Sequence, residues 1–410
     1  MKSLKTKAKR FLTKNKFTAA VYKKALQAKR RHTFLSFQKN LPLEEKTIFF
    51  ESFQGRLVAC SPKAMYLEAV NNPDYADYTF VWSVRNPKKH AHLKENPNTR
   101  VIKYGTKTYL KTLATAKYWV VNSTMLPYVT PNENQVFVQT WHGTPLKRLG
   151  CDLVKSENKA QDLKTIHNQY ITQGQRITKF LSPSQFYTQK IGTAYRQGAE
   201  KFIPCGYPRN DFLFSYTPED VARVKEALGI PDDKKVLLYA PTFRDNNYEK
   251  GKGFHYDLGL DLDLLQQTIG QDFVVLFRTH YFVVDNFDLT PYKDIVSDVS
   301  RYDDINELYI VSDMLMTDYS SVFFDYANLN RPMLFFMYDF DVYKGQLRDF
   351  YLDVNTLPGP IVYENKDVGK TILDLAETFE YGEEYKQFNQ TYNTYNDAHS
   401  SRRALDACIK

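Results

Sequence analysis

Cysteine is scarce in this 410-residue chain, and the few cysteines lie too far apart in sequence to form a metal-ligand motif. They are Cys60, Cys151, Cys205 and Cys408. A disulfide-based fold and a zinc finger are therefore not predicted. Reduced thiols in this number are typical of a cytosolic protein. We expect neither a metal nor any other cofactor.

Long apolar runs are also missing. A membrane-spanning helix needs about 18 consecutive apolar residues, and a secretory leader needs about 7–15 behind its basic start. Lysine and arginine interrupt every such stretch here, so neither segment is expected. The glycine-rich fingerprints of ATPases and of NAD-dependent enzymes are absent as well, and neither class is indicated.

Acidic residues do not occur before Glu44. Of the 55 lysines and arginines, 12 lie between Met1 and Arg31, which leaves 43 against 47 acids in the remainder. The basic character therefore belongs to the N-terminus, and the body is mildly acidic. A body of that kind argues against a general nucleic-acid-binding surface, and no nucleic acid is expected as a partner.

Residues 1–40 combine this positive charge with apolar residues at roughly helical spacing. The apolar positions are Leu4, Ala8, Phe11, Leu12, Ala19, Tyr22, Ala25 and Leu26. The pattern predicts one or two basic amphipathic helices on an anionic membrane surface, where each basic residue contributes about 1 kcal/mol. The alternatives are a helix packed on the body, a basic arm in solvent, and an arm on nucleic acid.

From Pro42 onward, short β-rich runs alternate with helical stretches. Strands are predicted at 46–51, 78–83, 100–103, 118–121, 135–140, 236–239, 273–277, 295–299, 314–316 and 333–336. Helices are predicted at 262–269, 303–311, 320–329 and from 368 to the C-terminus. A further helix is predicted from Ser61 to about Val70, with Ser61 as its N-cap and Pro62 as its first residue.

This alternation predicts an α/β protein of two Rossmann-like, doubly wound domains that face a cleft, a GT-B-like arrangement. The predicted division is a basic segment at 1–40, an N-terminal domain at 41–198 and a C-terminal domain at 199–410. Ligands of such sheets bind at the carboxyl ends of the strands. Five polar clusters follow predicted strands, as that rule requires.

The first cluster is QTWHGTPLK at 139–147. His142 follows a strand and lies beside Gly143, ahead of a helix that Pro145 is predicted to open. An anion and a proton acceptor would meet at such a point. A histidine that only caps a turn is the structural alternative.

The second cluster is GYPRND at 206–211. It places Arg209 in a loop bounded by glycine and proline, which suits forked recognition of a phosphate. Pairing of Arg209 with Asp211 is the structural alternative.

The third and fourth clusters are YAPTFR at 239–244 and FRTH at 277–280, again after strands. Arg278 and His280 are two apart on an extended segment and point the same way. The pair could therefore hold a diphosphate and stabilise charge on a leaving group.

The fifth cluster is TDYSSVFFD at 317–325. Ser320 or Ser321 is predicted to cap a helix that begins there, and free backbone N–H groups with two hydroxyls form an anion cradle. Asp325 lies one turn into the helix and could reach a ribose or glycerol hydroxyl, or the base. Ordinary helix capping is the structural alternative.

In order and spacing, these five clusters resemble the CDP-glycerol glycerophosphotransferases of teichoic acid synthesis. The resemblance covers most of residues 46–360, while the segments at 51–56 and 60–62 match only loosely. It implies two Rossmann-like halves around a cleft, with the acceptor on the N-terminal half and CDP-glycerol on the C-terminal half. It also implies a membrane-associating N-terminus and a peripheral location at the cytoplasmic face of the membrane.

The implied reaction transfers glycerol phosphate from CDP-glycerol to an undecaprenyl-diphosphate-linked saccharide or glycerol-phosphate acceptor and releases CMP. His142 and His280 match the two histidines tied to catalysis in the family, with His142 as the general base. The implied CDP-glycerol contacts are Trp141, His142, Gly143, Thr144, Pro145, Arg209, Pro241, Thr242, Arg278, Thr279, His280, Ser320, Ser321 and Asp325. No metal ligand is implied.

Other functions stay open at this point. A CDP-ribitol donor is the nearest variant. A sugar-nucleotide glycosyltransferase would use the same scaffold, and fold alone does not separate the two. A membrane-surface scaffold protein without activity would not need five polar clusters at strand ends.

Overall fold

The structure is a computed structural model that describes residues 16–155, 162–242, 248–249, 253–254, 259–279, 289–340 and 350–409. Only the backbone is described for residues 16–17 and for the two short segments 248–249 and 253–254. His280, Arg244 and the first 15 residues of the predicted basic segment lie outside the described residues.

Helices and strands alternate along the described chain. The helices are α1 (Lys16–Asn40), α2 (Cys60–Asn71), α3 (Lys107–Thr115), α4 (Leu163–Arg176), α5 (Gln185–Tyr195), α6 (Phe212–Ser215), α7 (Pro218–Leu228), α8 (Leu262–Ile269), α9 (Ile305–Val311), α10 (Val322–Tyr326), α11 (Asn365–Thr378), α12 (Glu383–Tyr392) and α13 (Ser400–Cys408). The strands are β1 (Glu44–Glu51), β2 (Thr79–Val84), β3 (Thr99–Lys103), β4 (Ala116–Val121), β5 (Val136–Gln139), β6 (Lys179–Ser182), β7 (Phe202–Pro204), β8 (Lys235–Tyr239), β9 (Tyr248–Glu249), β10 (Gly253–Phe254), β11 (Phe273–Phe277), β12 (Val296–Asp298), β13 (Met314–Thr317), β14 (Met333–Phe336) and β15 (Ile361–Val362).

The longer strands form two parallel sheets. In the described residues the first sheet has the order β3-β2-β1-β4-β5-β6-β7, and the second has the order β12-β11-β8-β13-β14-β15. In each, the chain starts in the middle, runs to one edge and then crosses back to build the other side. This is the doubly wound order. It confirms the predicted fold class of two parallel-sheet α/β halves.

Apolar side chains cover both faces of each sheet. On β1, Phe49 faces one core cluster whereas Ile48 and Phe50 face another. On β8, Leu238 likewise faces one core cluster and Leu237 faces another. Strands buried on both faces appear in the sequence as continuous apolar runs rather than as alternating ones. The pattern of β11, FVVLF, follows from this burial.

The C-terminal helix α13 returns to the first half, where Leu405 joins the core. At its start, the Asp211 carboxylate accepts hydrogen bonds from the backbone N–H groups of Ser400 and Ser401, over 2.9 and 2.7 Å. The division after residue 198 stays a prediction. The strand β7 belongs to the first sheet, where it pairs with β6.

Two predicted helix starts are wrong. The helix expected from Ser61 begins at Cys60, and the Ser61 hydroxyl accepts the backbone N–H of Arg209 over 3.4 Å instead of capping. No helix opens at Pro145. Instead, the backbone N–H of Tyr351 donates to the carbonyl of Leu146 over 2.8 Å, and Lys147 forms an antiparallel bridge with Phe350.

Two further helices are shorter than expected. The helix predicted at 320–329 begins at Val322 and tightens into a 3-10 turn after Tyr326. The stretch from 368 to the C-terminus is three helices rather than one. The first break lies between Thr378 and Glu383, where Gly382 is extended and forms the N-terminal boundary of α12.

The helix α1 is continuous, and its C-terminal end packs on the body. Phe34 is fully buried in the first-half core, and Phe37 packs against the same cluster. The Gln38 side chain donates to the carbonyl of Thr130 over 2.9 Å. Upstream of this anchor, several basic side chains are exposed. They are Lys23, Lys24, Lys29 and Arg31. Among the described residues, no helix combines the length and the apolar character that crossing a membrane requires.

Candidate active site

A cavity of about 720 Å³ lies between the two sheets. The loops around it follow the carboxyl ends of strands from both halves. In the first sheet they include the turn after β5, and in the second the turns after β8, β11 and β13. Strand order reverses between β1 and β4 and between β8 and β13. Ligands of doubly wound sheets bind at such switch points.

Most of the predicted site residues line this one cavity. They are Trp141, His142, Gly143, Thr144, Pro145, Pro241, Thr242, Arg278, Thr279, Ser320 and Ser321. Arg209 and Asp325 are not part of the lining, and His280 is outside the described residues. The structure thus brings together turns that are up to 180 residues apart in the chain. Their contacts with a donor stay predictions.

His142 is held by a hydrogen bond from its ring to the backbone. Its Nδ1 lies 2.7 Å from the carbonyl oxygen of Asn122, at the end of β4. A carbonyl only accepts, so Nδ1 carries the proton and Nε2 has a free lone pair. Trp141, just before it, has a left-handed backbone with φ of 53°. That bend turns the chain sharply after β5 and places the imidazole in the cavity.

The surroundings of His142 keep its ring neutral. Solvent reaches the ring through the cavity, but the enclosing protein desolvates it, and this lowers its pKa from 6.5 to about 4. The hydrogen bond to Asn122 acts in the opposite direction, and the nearby charge of Arg209 lowers the pKa further. A neutral imidazole with an open Nε2 can accept a proton at pH 7.

Arg209 lies behind the lining and is paired. Its guanidinium donates to Asp325 over 2.6 Å and stacks over the ring of Tyr207 at 4.7 Å. The side-chain amide of Asn210 donates to the other oxygen of Asp325 over 2.9 Å. The alternative pairing with Asp211 is wrong, because Asp211 receives the first N–H groups of α13. The Asp325 carboxylate is thus engaged by two donors of the 206–211 loop.

Gly143 is a point of contact between the halves. A Cβ atom there would lie 2.9 Å from the Ser321 hydroxyl oxygen and 3.9 Å from a terminal nitrogen of Arg209. Ser321 stands at the start of α10, but its side chain makes no capping hydrogen bond. A side chain at this position would require the Ser321 hydroxyl to move, so the glycine allows the close approach of these two turns.

The turns of the second half are tied to each other through short polar contacts. Asp318 accepts the backbone N–H groups of Thr242 and Tyr319 over 2.8 and 2.5 Å. Arg278 donates to the carbonyls of Val299 and Tyr302, over 3.2 and 2.9 Å. Burial lowers the pKa of this arginine from its ordinary value. One guanidinium nitrogen of Arg278, the residue predicted to bind phosphate, therefore holds the 299–302 segment of the cavity wall in place.

Ion pairs cross the cleft at its rim. Lys89 of the first half pairs with Asp303 of the second over 2.9 Å, and both residues line the cavity. Lys63 on α2 pairs with Asp304 over 2.8 Å. These residues were not predicted as site residues. The sequence feature that could have identified Lys89 is the Lys88-Lys89 pair, which lies shortly after a predicted strand.

Asn122 was also missed, although it directly follows β4 and so satisfies the carboxyl-end rule. It holds the ring of His142 through its backbone carbonyl, and a pattern of residue types does not predict a backbone contact.

Within the part of the chain that the structure describes, no group of three His, Cys, Asp or Glu side chains could hold a metal ion.

Known proteins match this fold and this set of motifs. The family model for CDP-Glycerol:Poly(glycerophosphate) glycerophosphotransferase matches residues 33–410. A teichoic acid poly(glycerol phosphate) polymerase of Bacillus subtilis (strain 168) is 39% identical over 377 residues, 91% of this chain and 50% of that protein. A teichoic acid glycerol-phosphate transferase of Staphylococcus aureus (strain NCTC 8325 / PS 47) is 34% identical over 384 residues, 92% of this chain and 96% of that protein.

A solved structure of the wall teichoic acid polymerase TagF, a His-to-Asn variant soaked with CDPG for 15 minutes, is similar with a TM-score of 0.84. The two are 34% identical, and the match covers 93% of this chain and 92% of that one. The chain spans about half the length of the Bacillus subtilis polymerase and nearly all of the Staphylococcus aureus transferase. These matches confirm the resemblance carried by the five clusters: the chain belongs to the CDP-glycerol:poly(glycerophosphate) glycerophosphotransferase family.

Proposed function

We propose that this chain transfers glycerol phosphate from CDP-glycerol to a lipid-linked teichoic acid precursor and releases CMP, as an enzyme of wall teichoic acid synthesis. Family membership and relatives named for glycerol-phosphate transfer support it. The observation that carries the proposal is the cavity between the halves. In it, a neutral imidazole from the first half faces the strand-end turns of the second.

The proposed chemistry is a direct displacement at phosphorus. An acceptor hydroxyl attacks the phosphorus that bears glycerol, the bond from that phosphorus to the bridging oxygen breaks, and CMP leaves. Nε2 of His142 takes the hydroxyl proton. Phosphoryl transfer depends on positioning and charge neutralisation more than on covalent help from the enzyme.

The charge of the cavity suits an anionic donor. Its described lining holds four basic residues and a single acid, Asp303, which is already paired with Lys89. The basic residues are Lys89, Lys147, Arg278 and Arg301. A cleft lined by one sign of charge raises the local concentration of oppositely charged substrate. We propose that the eleven predicted residues that line the cavity contact the donor, and that Arg278 and His280 support the departing CMP.

The test uses the purified chain, CDP-glycerol and a synthetic lipid-linked disaccharide, with CMP release and product mass as readouts. One added unit would identify a primer-type transferase, and a ladder of units would identify a polymerase. CDP-ribitol and UDP-sugars are the competing donors. Absence of CMP release with CDP-glycerol, or UDP release from a UDP-sugar, would contradict the proposal.

We propose further that α1 holds the enzyme on the anionic, cytoplasmic face of the membrane, where an undecaprenyl-diphosphate-linked acceptor is reached. Phe34 anchors the helix to the body, while the basic side chains upstream of it are exposed. Each basic residue near an anionic leaflet contributes about 1 kcal/mol. Val21, 52% exposed, can enter the headgroup region.

Sedimentation with vesicles tests this attachment. The chain should bind phosphatidylglycerol vesicles and release from them at high salt, but not bind phosphatidylcholine vesicles. Changing four basic residues of α1 to Gln should weaken binding, whereas four matched changes elsewhere should not. The first set is Lys23, Lys24, Lys29 and Arg31, and the control set is Lys88, Lys94, Lys366 and Lys370, all exposed. Equal binding by both variants would contradict the attachment through α1.

A further inference from the structure

Left-handed backbone is concentrated around His142. In the described chain, six residues other than glycine have φ between 50° and 62°. Four of them lie in the two segments next to this histidine: Phe53, Gln54, Cys60 and Trp141. L-residues adopt this conformation only where the surrounding structure holds them there, and such residues cluster at functional sites.

One residue, Asn122, contacts both segments. Its backbone oxygen accepts the hydrogen bond from Nδ1 of His142 over 2.7 Å. Its side-chain oxygen accepts the backbone N–H of Phe53 over 2.8 Å. Next to it, the Ser123 hydroxyl accepts the N–H of Gln54 over 3.2 Å. Asn122 therefore links the end of β4 to the ring of His142 and to the loop after β1.

The loop in turn contacts the imidazole. The ring of Phe53 meets that of His142 edge-on, with centroids 5.9 Å apart, and the ring of Trp141 lies 4.4 Å away. A carbonyl and two aromatic rings thus restrict the orientation of the imidazole. The carbonyl decides which nitrogen carries the proton, and hence which one is open to the cavity.

Packing alone does not explain an asparagine at this position. Asn122 is fully buried, and its side-chain nitrogen makes no hydrogen bond in the described structure. A buried donor without a partner is unfavourable. The side-chain oxygen, by contrast, accepts the N–H of Phe53, which has left-handed φ. The side-chain oxygen of Asn122 therefore makes the hydrogen bond that holds the loop against the histidine.

We infer that Asn122 is a positioning residue for the transfer reaction: its backbone carbonyl fixes the tautomer of His142, and its side-chain oxygen clamps the Phe53 loop against the imidazole and so restricts the orientation of the ring. This inference rests on the proposed function, in which His142 is the general base. Asn122 does not line the cavity. It acts through His142, and Phe53 supports the same geometry from the other side.

The kinetic test replaces Asn122 with Ala, which keeps the backbone carbonyl that bonds to His142 and removes only the side-chain acceptor for Phe53. We expect kcat to fall about 10–100-fold, because a small misplacement of the base is costly, while the KM for CDP-glycerol stays within about twofold. The matched control is Asn72→Ala. Asn72 is also buried, its side chain also accepts a backbone N–H (of Asp74, 3.0 Å), and its nitrogen also lacks a partner in the described structure. Its loss should leave kcat unchanged.

A second readout does not depend on activity. Histidine C2 hydrogen–deuterium exchange, followed by mass spectrometry, reports the pKa of each histidine. Asn122→Asp keeps the acceptor for Phe53 and adds a negative charge next to the imidazole, so the pKa of His142 should rise from about 4. The exposed His92 is the internal reference for the exchange measurement.

The outcomes separate this inference from the proposed function. If the unmodified chain releases no CMP from CDP-glycerol, the proposed function fails, while the exchange measurement still decides the positioning. If Asn122→Ala does not fold, Phe53→Leu replaces it, with an expected fall in kcat of about tenfold. Unchanged kcat in the folded alanine or leucine variant, or an unchanged pKa of His142 in Asn122→Asp, overturns the inference.

Discussion

The guanidinium of Arg209 donates to the carboxylate of Asp325 over 2.6 Å, and each side chain is only 8% exposed. Arg209 belongs to the loop after the first sheet, and Asp325 to α10 of the second half. Burial disfavours the charged guanidinium, but the carboxylate more than offsets this, and the pKa of Arg209 is well above its ordinary value. The pair joins the halves directly behind the cavity.

Removing one charge of this pair should be costly. Asp325→Asn leaves Arg209 buried without its counter-ion, and we expect a loss of about 3–5 kcal/mol in the free energy of unfolding. Urea denaturation followed by circular dichroism measures it. Asp374→Asn is the matched control, because its pair with Lys370 is exposed (58% and 77%). That change should cost at most about 0.5 kcal/mol. Equal denaturation midpoints for the two variants would contradict the structural role of the buried pair.

The pH dependence should report the low pKa of His142. Its folded-state pKa of about 4 lies below the ordinary 6.5, so the neutral form persists as the pH falls from 6.5 toward 4. The acid limb of kcat/KM, which reports the free enzyme, should therefore lie near pH 4 rather than near 6.5. His142→Ala should lower kcat by about 10²–10⁴, whereas His92→Ala should not. An acid limb near 6.5 would contradict the low pKa of His142.

The close approach of Gly143 and Ser321 should appear as coupling. Gly143→Ala places a Cβ 2.9 Å from the Ser321 hydroxyl, so we expect kcat/KM to fall about tenfold or more. In that background Ser321→Ala relieves the clash, and the two changes should be non-additive by about 0.5–3 kcal/mol. Gly382→Ala, whose Cβ would meet nothing nearer than 4.0 Å, is the control. Additive effects in the double variant would mean that the two turns do not meet.

The rim pairs should differ in their contributions to stability. Asp304 pairs with Lys63 and also caps α9 by accepting the N–H of Asn306 over 3.1 Å. Asp304→Ala should therefore cost about 1–2 kcal/mol, and Lys63→Ala, which removes only the ion pair, at most about 1 kcal/mol. Denaturation of both variants at low salt and at about 1 M salt separates the contribution of the ion pair from that of the helix cap, because only the ion pair is screened. A cost of Lys63→Ala equal to that of Asp304→Ala would remove the cap from the explanation.

Local patterns predicted the central elements of the second half well. The strand at 273–277 and the helix at 262–269 have the predicted bounds. The strand carries five consecutive apolar residues, and the helix starts behind a capping Asp261. The strand β6 was missed, because four residues with a lysine at one end carry too little local signal. It is a strand because its neighbours in the first sheet offer hydrogen bonds.

For the candidate site too, local sequence predicted some features and missed others. Eleven of the predicted residues line the cavity, since the carboxyl-end rule depends only on where a strand ends and on residue type. The sequence did not predict that Arg209 and Asp325 lie behind that lining, or that Asn122 holds His142. These relations join residues 20 to 116 positions apart. Such contacts exist only after the sheets have formed.

The sequence by itself determined the two-half α/β architecture, the family and the set of polar turns. Short stretches of sequence are enough for this, because they contain the apolar runs of strands buried on both faces and the residue types at strand ends. The tertiary structure decided which nitrogen of His142 carries the proton, which carboxylate pairs with Arg209 and which side chain Gly143 approaches. Each of these depends on an atom supplied by a distant segment. Distances and desolvation at such points come from packing, which no local pattern encodes.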